Sequence, residues 1–285
     1  MIHAENTPDD AYVLGRTAQE TRRLQSQANF VNPWTMRLLQ EAKIRPGMKI
    51  LDLGSGAGDV ALLLAELLGP QGSITGIDVN PVVLEAARVR LREAGFANVT
   101  FLSGNIETLP LADDFDVIVG RLILSHLRDP RGVILRLEQY LRPGGLMIFQ
   151  EPDLTRATAF PSQPACVLWD QACRWTNAAF HAGGVTPTIG LDLYRYLLDA
   201  GLSEPHLSSN VLLGAGPDWI GYRQHAETIR SLLPLITQFG IATEEEIGLE
   251  TLAERMREEA LRQRSVLRGL EMISIWAQKA SQGFS

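Results

Sequence analysis

Residues 49–59 read KILDLGSGAGD and residues 73–81 read SITGIDVNP. Lys49–Leu53 is a short apolar run carrying one acid, Asp52, the pattern of a buried parallel strand. Gly54, Gly56 and Gly58 follow at alternate positions, and glycine permits both a tight turn and close approach of a ligand. Val60, Leu64, Leu67 and Leu68 then recur at helical spacing. A strand, a glycine turn and a helix N-terminus present free N–H groups and a helix dipole. The second strand, Ile74–Ile77, ends in Asp78, whose carboxylate can accept two hydrogen bonds from a ribose diol. This order describes a nucleoside site at the carboxyl edge of a doubly wound sheet.

Dinucleotide enzymes place their third glycine at G-x-G-x-x-G. Here it comes one residue early, at Gly58, and Asp59 stands where that pattern wants glycine. The order D-x-G-x-G-x-G (Asp52 to Gly58) followed by G-I-D (Gly76 to Asp78) resembles class I S-adenosylmethionine-dependent methyltransferases. Within them it is most similar to the small-molecule group typified by ubiquinone/menaquinone-biosynthesis methyltransferases (methyltransferase type 11). The resemblance covers roughly residues 45–153 well and the remainder weakly.

The bulk numbers set bounds. A chain of 285 residues suffices for one large domain or a domain with a cap, and 45% hydrophobic content is that of a soluble globular protein. A net charge of −7 disfavours a general nucleic-acid binder. Of 26 basic residues only Lys43, Lys49 and Lys279 are lysine, which suggests a GC-rich, bacterial genome. No run approaches the roughly 18 apolar residues of a membrane helix. The polar, acidic start MIHAENTPDD does not read as a signal peptide. Two cysteines, Cys166 and Cys173, sit about two turns apart if they share a helix, too far for a disulfide. They fit a reducing cytoplasm, and no zinc spacing is present.

Taken in order, residues 16–29 read as a helix, Asn32-Pro33 as a cap and first turn, and Trp34–Lys43 as a second, amphipathic helix. Asn80-Pro81 and Asp129-Pro130 open further helices. Asn98–Leu102, Phe115–Gly120, Leu146–Gln150 and Pro205–Leu213 read as strands three to six, and Met272–Gln278 as a final antiparallel strand. Pro217 to about Gly240 reads as helical with a break at Pro234. Thr243 opens a capping box, T-x-x-E, and a helix with an apolar stripe from Leu249 to Ala260. Residues 217–264 thus look inserted between the last two strands. Residues 154–187 are rich in aromatics, which suits an acceptor-pocket wall or a packed helix equally.

The resemblance implies a Rossmann-like α/β sheet of seven mostly parallel strands, the last antiparallel, with helical lid additions. It implies an N-terminal helical lid (residues 1–44), a cofactor-binding core (45–153), and cap helices with the remaining strands (154–285), all one globular unit. The implied reaction moves the sulfonium methyl group of S-adenosylmethionine to an O, N or C nucleophile of a small molecule, leaving S-adenosylhomocysteine. Alternatives are a cofactor-binding module without turnover and a methyltransferase acting on a macromolecule. Asp52, Gly54, Ser55, Gly56 and Gly58 would shape the methionine end, and Asp78 would bind the ribose with Val79 beside the adenine. Asn105 takes the place of the family's usual adenine-binding acid, with Ile106 on the adenine face. Arg121 would hold a carboxylate. His126 and Glu151 are candidate bases. Tyr12, Gln27, Phe30, Trp34, Asp153, Trp175 and His181 would face lid or substrate. No metal, nucleic acid or membrane partner is implied, and the pattern leaves a homodimer open.

Overall fold

The computed structural model describes residues 18–111 and 114–281. In chain order the elements are α1 (Ala18–Glu41), β1 (Lys49–Leu53), α2 (Asp59–Leu68), β2 (Ser73–Asp78), α3 (Pro81–Glu93), β3 (Val99–Ser103), β4 (Phe115–Arg121), α4 (Pro130–Glu138) and β5 (Leu141–Pro152). There follow β6 (Ser162–Gln163), α5 (Val167–Ala182), α6 (Ile189–Asp199), β7 (Leu202–Gly214), α7 (Gly221–Gln238), α8 (Glu244–Ile247), α9 (Leu249–Gln263) and β8 (Val266–Lys279). The chain forms two compact units. Of the described residues, one holds those within 28–152, 189–210 and 272–281, and the other holds 153–188 and 211–271 together with 18–27.

The first unit is a doubly wound α/β layer structure. Its strands run in the order β3-β2-β1-β4-β5-β8, with β7 also paired to β8. The five strands β1–β5 pair parallel, and β8 runs antiparallel to β5. The winding reverses between β1 and β4, which makes the carboxyl edge there the topological switch point. The central strands β1, β4 and β5 are buried on both faces, as their apolar runs foretell. Leu38 and Leu39 of α1, Leu64 and Leu68 of α2 and Leu84 of α3 cover one face. Ile134 and Leu137 of α4 and Leu193 and Leu197 of α6 cover the other.

Local chemistry fixes several boundaries as read from the sequence. The Asn80 side chain accepts from Val82 N and Val83 N with Pro81 in the first turn. Asp129 caps α4 through Gly132 N, and Thr243 and Glu246 form a reciprocal capping box.

Other boundaries differ. The two N-terminal helices are one, α1, which runs through Pro33. An interior proline costs roughly 3 kcal/mol through one lost hydrogen bond and a clash. Against that, Ala28, Val31, Thr35, Leu38, Leu39 and Ala42 form an unbroken buried stripe, in which burial of each Val or Leu side chain is worth about 1.5–3 kcal/mol. Asn32 is no cap: its side chain is taken by Arg121. Helix α7 likewise continues through Pro234. The segment after Thr243 divides at Gly248, whose left-handed backbone ends α8 and starts α9. The last strand begins six residues earlier than its apolar core, at Val266, and β7 spans Leu202–Gly214. The two-residue β6, which carries no sequence signal, pairs antiparallel with Val266 and Leu267.

The second unit is built on α5, α7 and α9, packed around Trp169, Ile229, Leu232, Leu252 and Met256. Trp169 packs among Trp219, Tyr222 and His225 in tilted and edge-on contacts, with ring centroids 4.7–6.4 Å away. Burial pushes His225 down to about 4, so its ring is neutral. Cys166 and Cys173 are free and buried, and burial pushes their thiols up to about 11 and about 12.

Candidate active site

The site is organised by the turn after β1. Gly54, Gly56 and Gly58 all have positive φ (63°, 51° and 81°), which side-chain-bearing residues rarely adopt. Ser55 N donates to Ile77 O, tying the turn to β2, and the Ser55 hydroxyl donates to Asp52 O. At Gly58 an added Cβ would meet Leu91 at 2.9 Å, so glycine there lets α3 pack against the start of α2. At Gly56 an added Cβ would find only Gly54 O, at 3.9 Å. That position faces open space.

Three carboxylates gather around the turn. Asp78 accepts from Gly56 N at 3.0 Å through one oxygen and from Asn80 N at 2.9 Å through the other. Asp59, in the first turn of α2, pairs with Arg90 at 2.6 Å. Asp52 is 1% exposed, and neither of its oxygens accepts a hydrogen bond. Burial pushes its carboxyl up to about 7. The nearby Ser55 hydroxyl and Arg121 oppose that shift, and Asp78 and Asp59 add to it. An unpaired buried carboxylate is costly to maintain. Its presence marks a place prepared for a cation or a donor.

Beyond β4 the chain turns through Leu122, a residue with φ of 55°. Arg121, the last residue of β4, donates through Nη1 to Asn32 Oδ1 at 2.8 Å and to Thr35 Oγ1 at 3.0 Å, both on α1. Thr35 in turn lies 2.6 Å from Gln150 Oε1, and Gln150 Nε2 donates to Ser274 Oγ at 2.9 Å. A polar chain therefore joins α1, β4, β5 and β8 at the carboxyl edge. Burial lowers the basicity of Arg121, while Asp59 and Asp52 oppose the shift. Ile123–Ser125 form a tight turn whose N–H groups point at Glu151, at 2.8, 2.8 and 3.4 Å. Glu151 is fully buried, and burial pushes it up to about 7 despite those three bonds. His126 follows, half-buried, its N–H bonded to Ile123 O.

Thus Asp52, Gly54, Ser55, Gly56, Gly58, Asp78, Val79, Arg121, His126 and Glu151 share one edge of the sheet. Val79 is exposed beside Asp78. Asn105, also exposed, closes an Asx turn by accepting from Glu107 N at 2.8 Å, while Ile106 points into the core. Phe30 and Trp34 are half-buried on α1. In the second unit Asp153 is buried and accepts from the Thr155 amide and hydroxyl, Trp175 is packed in the core, and His181 is exposed in the last turn of α5. Tyr12 and the Gln27 side chain lie outside the described residues. Sequence reasoning missed Asn32, Thr35, Gln150, Ser274 and Ile123. Only Asn32 carried a signal, and a helix cap explained it equally well.

Among the described residues no cluster of three or more His, Cys, Asp or Glu could hold a metal. No described helix is long and apolar enough to cross a membrane.

Comparison with known proteins bears on this edge. A family model described as a methyltransferase domain matches residues 44–196, more than half of the chain. The ubiquinone/menaquinone biosynthesis C-methyltransferase UbiE of Shewanella frigidimarina is 33% identical over 120 residues, 41% of this chain and 48% of that protein. The chain thus aligns with about half the length of the curated relatives it matches. Among solved structures, the YcgJ protein of Bacillus subtilis superposes with a TM-score of 0.57 at 20% identity, covering 87% of this chain and 98% of that one. The [4+2]-cyclase SpnF superposes with a TM-score of 0.51 at 19% identity over 87% of this chain and 81% of its own. Such identities establish the fold and no more.

Proposed function

The chain belongs to the methyltransferase-domain family, and from that premise we propose that it transfers a methyl group from S-adenosylmethionine to a small-molecule acceptor. The observation that carries this reading is Asp52, buried beside the glycine turn with two unpaired carboxylate oxygens. Asp52 and Asp59 would repel the pyrophosphate of a dinucleotide, and Asp59 already occupies the helix N-terminus such a group would need. The same charges suit a ligand that carries an ammonium and a sulfonium.

In this reading Asp52 and the glycine turn hold the amino end of S-adenosylmethionine, Arg121 its carboxylate, Asp78 the ribose and Val79 the adenine. When bound, that group supplies a methyl on a positively charged sulfur, an electrophile that needs no further activation. What the protein adds is position and exclusion of water. His126 takes the acceptor's proton where the acceptor arrives protonated. Asn105 addresses the adenine, its carbonyl oxygen keeping a second lone pair beside the one that serves the Asx turn. The likeness to UbiE enzymes supports a quinone-like or other small aromatic acceptor. A cytoplasmic setting belongs to the same proposal.

The test is transfer of radiolabelled methyl from S-adenosylmethionine to a panel of hydroquinones, phenols and amines, with His126→Ala alongside. The proposal expects acceptor-dependent label incorporation that His126→Ala lowers by 10-fold or more. Absence of incorporation into every acceptor class, in a protein that binds S-adenosylhomocysteine, would contradict turnover.

A further inference from the structure

The buried acid at the end of β5 has an unusual set of partners. Three consecutive main-chain N–H groups, of Ile123, Leu124 and Ser125, converge on its carboxylate. Leu122 is left-handed and Ile123 right-handed (φ −119°, ψ −42°). Successive residues of alternating hand make a concavity of N–H groups that binds anions. Here the anion is a side chain of the protein itself. Bonds of this kind, to a charged acceptor in a dry site, are stronger than neutral ones.

What the concavity holds in place matters more than the acid. The Ile123 side chain lies over the first glycine of the turn after β1: a Cβ on Gly54 would stand 2.7 Å from Ile123 Cδ1, and one on Gly120 would stand 3.0 Å from Ile123 Cγ2. Leu122 N is bonded to Gln150 O, the residue before the acid. Arg121 leads into this loop and His126 leaves it. The loop therefore carries a cofactor-end cation at one side, a candidate base at the other, and in its middle the side chain that seats the glycine turn.

We propose that Glu151 is a positioning residue, not a proton acceptor: its carboxylate locks the 122–125 loop, and through Ile123 it sets the glycine turn in the shape that binds the cofactor. This rests on the S-adenosylmethionine reading above. Both oxygens of the buried Glu151 are already engaged by the main chain, whereas those of the equally buried Asp52 accept no hydrogen bond. Its effect on binding passes through the loop.

Two measurements on Glu151→Gln, Glu151→Asp and Glu151→Ala test it, each on protein shown to be folded by circular dichroism. The first is amide hydrogen exchange over residues 121–127, which needs no ligand. Faster exchange at Ile123 and Leu124 in Glu151→Ala, with β1 still protected, is the expected result. Unchanged exchange overturns the lock. The second is titration with S-adenosylhomocysteine well below the unfolding temperature. Glu151→Gln keeps one oxygen for the Ile123 and Leu124 amides but turns an NH₂ toward Ser125, so affinity should fall modestly, about 3-fold to 10-fold. Glu151→Asp is one methylene short and should lose more, as should Glu151→Ala. Wild-type affinity in all three folded variants overturns the positioning role. Should the wild type itself bind nothing, the cofactor reading fails, and exchange alone then decides the lock.

Discussion

A Cβ on residue 54 would stand 2.7 Å from Ile123 Cδ1, so Gly54 and Ile123 share one packing position. The turn after β1 and the loop after β4 therefore cannot move independently. Gly54→Ala adds both that clash and the strain of a side chain at φ 63°; a left-handed non-glycine residue alone costs about 1–3 kcal/mol. Gly54→Ala should lower thermal stability and weaken S-adenosylhomocysteine binding by 10-fold or more. Gly47→Ala is the control. Its φ is 85° but nothing lies within 4 Å of its added Cβ, so it should lose stability alone. Equal effects on binding would show that the Ile123 contact is irrelevant.

The buried Asp52 gives a pH-dependent prediction. Its pKa is about 7 in the folded protein against an ordinary 3.8. Between those values the folded state holds the proton more often than the unfolded state, so Asp52 lowers stability progressively as pH rises. Glu151 acts in the same direction, and His225, pushed down to about 4, acts in the opposite one at the acid end. A difference measurement isolates Asp52. The stability of Asp52→Asn minus that of wild type should rise between about pH 4 and 7, by at most about 1.4 kcal/mol per pH unit, and level off above. Urea unfolding at pH 5, 6, 7 and 8 reads it. A flat difference would mean that Asp52 is not buried as a carboxyl in the folded state. The same substitution should abolish measurable cofactor binding.

Legibility in the sequence followed the physics of each signal. The glycine turn and Asp78 were readable because only glycine tolerates three alternate positive φ values, and because β1 and β2 are too apolar to lie anywhere but inside. The cap at Asn80 was readable because capping is local. The continuity of α1 through Pro33 was not. Proline's cost is local, but the stripe that outweighs it, from Ala28 to Ala42, counts only once the sheet it covers exists. Glu151 read as a loop acid because the three amides it binds lie 26 to 28 residues earlier. Trp175 read equally as pocket wall or core, since aromatic side chains serve both, and packing placed it in the core. The partners of Arg121 on α1 were invisible for the same reason as Glu151: they are 86 and 89 residues away in sequence.

Thr35 sits at the junction of the polar chain at the carboxyl edge, receiving from Arg121 and lying 2.6 Å from Gln150. Thr35→Val is nearly isosteric and removes the hydroxyl. It leaves Gln150 Oε1 buried without that donor, which costs about 1–3 kcal/mol. Equilibrium urea unfolding should show a loss in that range, and the affinity for S-adenosylhomocysteine should fall with it as Arg121 loses one of its two α1 contacts. No change in either would remove the network from the account of the site.

Cys166 and Cys173 are both buried, with thiols pushed up to about 11 and about 12 by burial. The thiolate is the reactive form. A chromogenic disulfide reagent at pH 8 should therefore find no fast-reacting thiol in the native protein and both after denaturation. Rapid reaction of either native thiol would contradict the packing of α5.

The glycine turn, Asp52 and Asp78 together form the edge proposed to bind S-adenosylmethionine. Its most direct test is calorimetric titration of the wild type and of Asp78→Ala with S-adenosylmethionine and S-adenosylhomocysteine. The expected result is saturable binding at one site, weakened at least 10-fold by Asp78→Ala, which is about 1.4 kcal/mol. No saturable binding of either compound by the wild type would contradict it.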